Sequence, residues 1–365
     1  MLEQEADTSI SGGSSLVENN NTKLHFDSNI KIKRRDNMLK RKKKIINEGE
    51  QNKYLIVVDP GKHTNKAIIL QDNKRVSFRT KYFDNTNELD VYGESYSVIY
   101  EGKKFIVGEQ AEEQSYDVSK TNLLHKLVTY VAISQLAENN STIRLVINCP
   151  VSIYKNKSLR EEYKNFIFNR GQFDITVNRQ QYHYNFENIL VLPEDFGVVY
   201  KYPGLFKGKR VALIGLGGLN MNFMIVNNLA PEITTMFTVN HGGNELETNL
   251  INELNSRFAL NIDHKEAPYI LDNKGLMVRG KVDKESVEIV NKTIEEFFNG
   301  IIKETKKQGH NLDMVDIVFV GGTSETIQDY IESQMKHVTV VNDAQWAAVE
   351  GSLRLGAMRF GENTK

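Results

Sequence analysis

Residues 53–70 read KYLIVVDPGKHTNKAIIL. The run Tyr54-Leu55-Ile56-Val57-Val58 is continuously apolar and rich in β-branched residues, the pattern of a strand buried on both faces. It stops at Asp59-Pro60-Gly61, a tight-turn signal, and a second strand starts at about Lys66. The chain thus delivers an acid to a β-hairpin turn whose glycine lets the backbone approach an anion. No helix follows, which excludes the phosphate loop of pattern GxxxxGK[ST], because that loop opens a helix. The turn residues Gly61, Lys62, His63 and Asn65 are candidate phosphate contacts, and Asp59 is the candidate for a hydrated Mg²⁺. Asp-Pro-Gly also makes an ordinary hairpin turn for purely conformational reasons.

Working outward, strands are expected at 76–81, 96–100, 104–107, 144–148 and 189–192, with helices at 121–137 and 158–169. The same order then recurs. A strand at 209–214 runs into Gly215-Leu216-Gly217-Gly218, and strands at 222–227 and 232–239 follow. Helices are expected at 245–258 and 284–306, a strand at 315–320, and helices at 323–334 and 344–359, with Thr323 or Ser324 as an N-cap. Strands in series followed by helices, twice over, predict two α/β domains with a site in the cleft between them.

Three further motifs fall at strand ends. Gly215-Leu216-Gly217-Gly218-Leu219-Asn220 again joins strand to strand; it lacks the GxGxxG spacing and the following helix of a dinucleotide fingerprint. Pro193-Glu194-Asp195-Phe196-Gly197 reads as a helix start, with proline in the first turn and two acids at the positive end of the dipole. The same acids suit a cleft in which Glu194 orients or deprotonates an attacking water. Gly321-Gly322-Thr323-Ser324 ends a strand and starts a helix, leaving room for a flat base or ribose against bare backbone. Each has a plain reading as a turn or cap; one glycine hairpin per half of the chain is the stronger signal.

The composition sets the class. The chain has 365 residues, 40% hydrophobic and 25% charged, with a net charge of −1. It is too long for one ordinary core and lacks an apolar run of bilayer length. Its single cysteine, Cys149, cannot form an internal disulfide, and is expected as a small buried group at a strand end. A cytoplasmic setting follows from these features, with no membrane and no sequence-specific DNA contact expected. Residues 31–44 carry nine basic side chains against one acid. Residues 1–50 are therefore read as a flexible basic arm, a solvated tail or an extension upstream of a start at Met38, with phosphate or anionic-surface binding as the functional alternative.

Taken in order, the DxGxxxxK turn, PExxGxxY, a second glycine-rich turn and a late strand–Gly-Gly–helix resemble the actin, sugar-kinase and heat-shock chaperone ATPase superfamily. The similarity runs from residue 53 to 361 and is greatest to plasmid-segregation actins of the ParM type, which 341–351 also resembles. The resemblance implies an actin-like fold: two related α/β domains (51–193 and 194–345) with mixed, five-stranded-type sheets around a nucleotide cleft, and a last helix (346–365) returning to the first domain. It implies ATP or GTP with Mg²⁺ as ligands, and self-assembled filaments and a DNA-binding adaptor as partners. Asp59 and Gly61 would belong to the first phosphate turn, and Gly217, Gly218, Leu219 and Asn220 to the second. Glu194 would be catalytic. Gly321, Gly322 and Thr323 would flank the nucleoside, with Glu245 near the ribose and base. One position departs: where the family has an aspartate for the metal-bound water, this chain has Gly215. Compensation by Asn220 or Asn222, slow hydrolysis in a nucleotide-gated scaffold, and an altered protein all remain open, as does a small-molecule kinase on the same fold.

Overall fold

The computed structural model describes residues 52–113 and 119–362; the basic arm lies outside the described residues. The opening run forms β1 (Lys53–Pro60), which pairs antiparallel with β2 (Thr64–Ile69) and parallel with β7 (Ser141–Cys149). Ile56 and Val58 face one apolar cluster with helix α1 (Leu123–Leu136), while Leu55 and Val57 face another with the C-terminal helix. Burial on both faces is why β1 is apolar throughout.

Around β1 and β7 the first sheet adds β3 (Arg75–Arg79), β4 (Tyr82–Asp84), β5 (Ser95–Tyr100), β6 (Lys103–Gly108), β8 (Gln172–Val177) and β9 (Gln180–Pro193), in the order β3-β2-β1-β7-β9-β8-β5-β6-β4. Helix α2 (Lys157–Phe168) precedes the β8–β9 hairpin. The expected strand at 189–192 is the end of that hairpin. Cys149 closes β7 and is fully buried, as expected.

The second sheet is built the same way. β10 (Arg210–Leu216) pairs antiparallel with β11 (Met221–Asn227) and parallel with β16 (Asp316–Val320). Ala212 and Ile214 enter one core, and Val211 and Leu213 the opposite one. The strands β12 (Ala230–Pro231), β13 (Phe237–Val239) and β17 (Val338–Val340) complete it, and β14 (Met277–Val278) and β15 (Lys281–Val282) form a separate two-residue ladder.

Three expectations are corrected here. The PExxG segment does not start a helix. Pro193 is the last residue of β9, Asp195 has a left-handed backbone (φ 65°), and α3 spans only Val198–Lys201. A left-handed residue breaks the right-handed helical path, so the dipole argument for Glu194 and Asp195 falls away. Residues 232–239 are a short 3₁₀ turn (Ile233–Thr235) followed by β13 rather than one strand. The helix expected at 323–334 divides into α6 (Gly322–Thr326) and α7 (Gln328–Gln334) at Ile327. Its N-cap is Gly321; the Thr323 hydroxyl donates to the Gly217 carbonyl and the Ser324 hydroxyl to Val320, so neither caps the helix.

Two long helices, α4 (Gly243–Phe258) and α5 (Lys284–Lys307), cover the outer face of the second sheet. The last helix, α8 (Ala344–Phe360), packs Val349, Leu353 and Ala357 on the first sheet. It crosses the turn before α3 closely: a Cβ on Gly197 would meet the Ser352 amide nitrogen at 2.6 Å and overlap the Ala348 carbonyl oxygen. That contact gives the glycine of PExxG its structural reason.

Candidate functional site

The two glycine-rich hairpin turns stand face to face. The β1–β2 turn is closed by Gly61 N donating to Asp59 O at 2.8 Å, and the β10–β11 turn by Gly217 N donating to Asn220 O at 2.9 Å. A Cβ on Gly218 would lie 3.3 Å from that of His63, so the turns come within contact of each other. Between them opens a cleft of about 310 Å³. The second turn is braced from behind. Its Gly217 and Gly218 carbonyls accept Gly243 N (3.0 Å) and Asn244 N (2.7 Å) from the start of α4, and Thr323 Oγ1 donates to Gly217 O at 3.1 Å. Gly321 sits at φ 103°, a conformation that suits glycine, and carries the chain past Leu216.

At the floor, two strand ends of the first sheet bring acids together. Asp59 is the next-to-last residue of β1, and Glu194 and Asp195 follow β9. Lys120, fully buried, donates from Nζ to Glu194 Oε1 (2.5 Å) and to the Pro60 carbonyl (2.8 Å). Burial works against its ammonium, but Glu194 and Asp59 outweigh that and raise its pKa. Asn222 on β11 donates from Nδ2 to Asp195 Oδ2 (2.8 Å) and Glu194 Oε2 (3.2 Å), while Thr238 Oγ1 donates to its Oδ1 (2.7 Å). Burial, with Glu194 and Asp59 adding to it, pushes Asp195 up to about 7. Burial likewise raises Asp59, against the pull of Lys120. His63 is lowered to about 4 by burial and by Arg79, Lys81 and Lys66, so it is neutral near pH 7.

Of the residues singled out in the sequence, Asp59, Gly61, Lys62, His63, Glu194, Gly217, Gly218, Leu219, Asn220, Gly321, Gly322 and Thr323 all line this one cleft. Asn65 does not: it is buried behind the turn, and its Nδ2 donates to Val128 O at 3.3 Å. Glu245 also stands elsewhere. Its carboxylate meets His241 Nδ1 at 2.9 Å and borders a neighbouring hollow with Thr248 and His264. Glu247 enters the cleft instead, because two residues along an α-helix turn the side chain by about 200°. Lys120 carried no sequence signal, since its partners lie 60 and 74 positions away.

The family model for the N-terminal domain of actin-like proteins matches residues 57–197. A filament structure of Alp12 is 31% identical, with a TM-score of 0.66, and covers 85% of this chain and 99% of that one. The chain belongs to the actin-like proteins. The archaeal actin homolog Ta0583 (18% identity, TM-score 0.70) and a 15-stranded ParM filament from Clostridium botulinum (18%, 0.65) share its fold; each comparison covers 84% of this chain and 99% of the other. No curated protein sequence matches the chain.

The donor set of this actin-like protein suits a hydrated Mg²⁺ carried in by phosphates. Asp59 Oδ1 is buried with no hydrogen-bond partner among the described residues, and the Asp195 carboxylate lines the same cleft. No group of three His, Cys, Asp or Glu among the described residues is placed to hold an ion alone. Mg²⁺ is characteristically held by one or two carboxylates together with substrate phosphates and water.

Proposed function

We propose that this actin-like protein binds a nucleoside triphosphate, ATP or GTP, with Mg²⁺ in the cleft, hydrolyses it, and uses the cycle to build and dismantle filaments of its own copies. The filaments would segregate plasmid DNA in the cytoplasm through a DNA-binding adaptor. We read 51–193 and 194–345 as the two domains that close on the nucleotide, with 346–365 returning to the first.

The observation that carries this reading is the pair of opposed glycine hairpins over a floor where Lys120 holds Glu194. Two bare turns suit a polyphosphate better than a compact acceptor. Similar proteins supply the rest: Alp12 and the Clostridium botulinum ParM are filaments, and Ta0583 has an ADP complex (17% identity, TM-score 0.69, 84% of this chain and 99% of that one). Among the described residues no helix is long and apolar enough to cross a membrane.

In this mechanism the turn at 61–63 and the turn at 217–220 grip the phosphates from opposite domains, so binding draws the domains together. Gly321, Gly322 and Gln345 border the space for the nucleoside. Bound Mg²⁺ supplies charge neutralisation on the phosphates. Lys120 and Asn222 each take one oxygen of Glu194, holding the carboxylate in one orientation toward the cleft, where it aligns the attacking water. Loss of the terminal phosphate removes the bridge between the turns and loosens closure.

The test is sedimentation of the purified protein with Mg²⁺ and ATP, GTP or no nucleotide, with phosphate release measured in the same samples. Pelleting above a critical concentration, only with nucleotide and followed by phosphate release, is expected. Tight nucleotide binding without any pelleting would defeat the filament reading and favour a small-molecule kinase.

A further inference from the structure

The second turn lacks an acid at Gly215, yet the space there is filled. A Cβ at Gly215 would stand 2.9 Å from Asp195 Oδ1 and overlap Asp195 Oδ2 and Cγ outright. Gly215 and Asn222 are cross-strand partners, so their side-chain positions are neighbours, and it is Asn222 that donates to Asp195 Oδ2 at 2.8 Å. The amide is itself oriented by Thr238. The carboxylate therefore occupies the place a side chain from position 215 would take, but it is delivered from the turn after β9.

The backbone is shaped for that delivery. Asp195 adopts φ 65°, a left-handed conformation that aspartate tolerates better than most side chains. It lies between Pro193, the end of β9, and Gly197, pressed on α8. The charge balance points the same way. Of the three floor carboxylates, Glu194 has the buried ammonium of Lys120 as its ion-pair partner. Asp59 Oδ1 has no hydrogen-bond partner among the described residues. Neither Asp59 nor Asp195 has an ion-pair partner among the described residues, a place that a hydrated cation in the cleft would take.

We propose that Asp195 replaces the missing acid of the second turn, holding from the β9 turn the water shell of the divalent cation that accompanies the nucleotide. Gly215 and Asp195 form a matched pair: glycine at 215 is what admits the relocated carboxylate. This rests on the nucleotide reading above.

The experiment compares affinity for a fluorescent ATP analogue in Mg²⁺ and in EDTA. The wild-type protein is expected to bind at least tenfold tighter with Mg²⁺. Asp195→Asn should cut that ratio about tenfold without weakening binding in EDTA, since it removes a carboxylate that repels bare phosphates. Gly215→Ala, whose methyl group displaces the same carboxylate, should do likewise. The double variant Asp195→Ser, Gly215→Asp, which returns the acid to the second turn, should restore the ratio. A plug with only a structural role would lower both affinities together, and the melting temperature of each variant identifies a folding failure. An unchanged ratio in Asp195→Asn, or no rescue in a folded double variant, overturns the proposal. Wild-type binding indifferent to Mg²⁺ overturns it while leaving nucleotide binding intact; no binding in either buffer overturns both readings.

Discussion

Replacing Lys120 with methionine isolates the ion pair at the floor of the cleft. The lysine side chain is 0% exposed and that of Glu194 15%, and Nζ donates to both Glu194 Oε1 and the Pro60 carbonyl. Breaking a fully buried pair costs about 3–5 kcal/mol, because the survivor's charge is left uncompensated. Glu194 keeps part of its side chain exposed, so the lower end, about 3 kcal/mol, is expected for Lys120→Met. With an unfolding entropy of about 2 cal/mol/K per residue over roughly 300 residues, that lowers the melting temperature by about 5 °C. Glu194→Gln should cost a similar amount, since it strands a fully buried ammonium. It should also slow phosphate release by about 10²–10⁴-fold through loss of the aligned carboxylate. The double variant removes both charges and should be more stable than either single variant, with a coupling energy of about 2 kcal/mol or more. Thermal and urea unfolding of the four proteins measure the cycle. Additive costs would refute the reasoning, because they would mean that the two charges do not depend on each other.

Two other outcomes follow from the geometry. Gly197→Ala drives a methyl group into the Ala348 carbonyl and Ser352, and should cost about 3 kcal/mol, read as a drop in melting temperature of similar size to that of Lys120→Met. His125 is fully buried and held down to about 3 by burial and by Lys120 and Lys62, so the unfolded chain takes up its proton near pH 6.5 while the folded chain does not. Stability therefore falls as pH falls below about 6.5, by about 2 kcal/mol between pH 7 and pH 5 from this group alone; His125→Gln should flatten that limb of a melting curve series.

Much of the cleft was legible because its parts are local. An apolar run ending in Asp59-Pro60-Gly61 announces a buried strand entering a tight turn wherever it occurs, and the same holds for β10 and Gly217-Gly218. Strand period, turn chemistry and the glycines at 321 and 322 depend on a few neighbouring residues, which is why twelve of the singled-out positions converge on one cleft. Boundaries failed where a distant contact overrode local preference. The PExxG segment has the composition of a helix start, yet β9 continues through Pro193 beside β7, and Asp195 turns left-handed.

The sequence by itself determined the class of the protein: two strand-led halves, a glycine hairpin in each, an acid at the end of β1, and Glu194 after β9. Only the tertiary structure decided how the floor of the cleft is wired. Lys120 reaches Glu194 across 74 positions, Asp195 fills the space beside Gly215, and Glu247 rather than Glu245 enters the cleft. The physical reason is that a strand or turn is specified by bond geometry and side chains nearby in the chain. Pairing of buried charges and sharing of one small volume depend instead on which backbones cross.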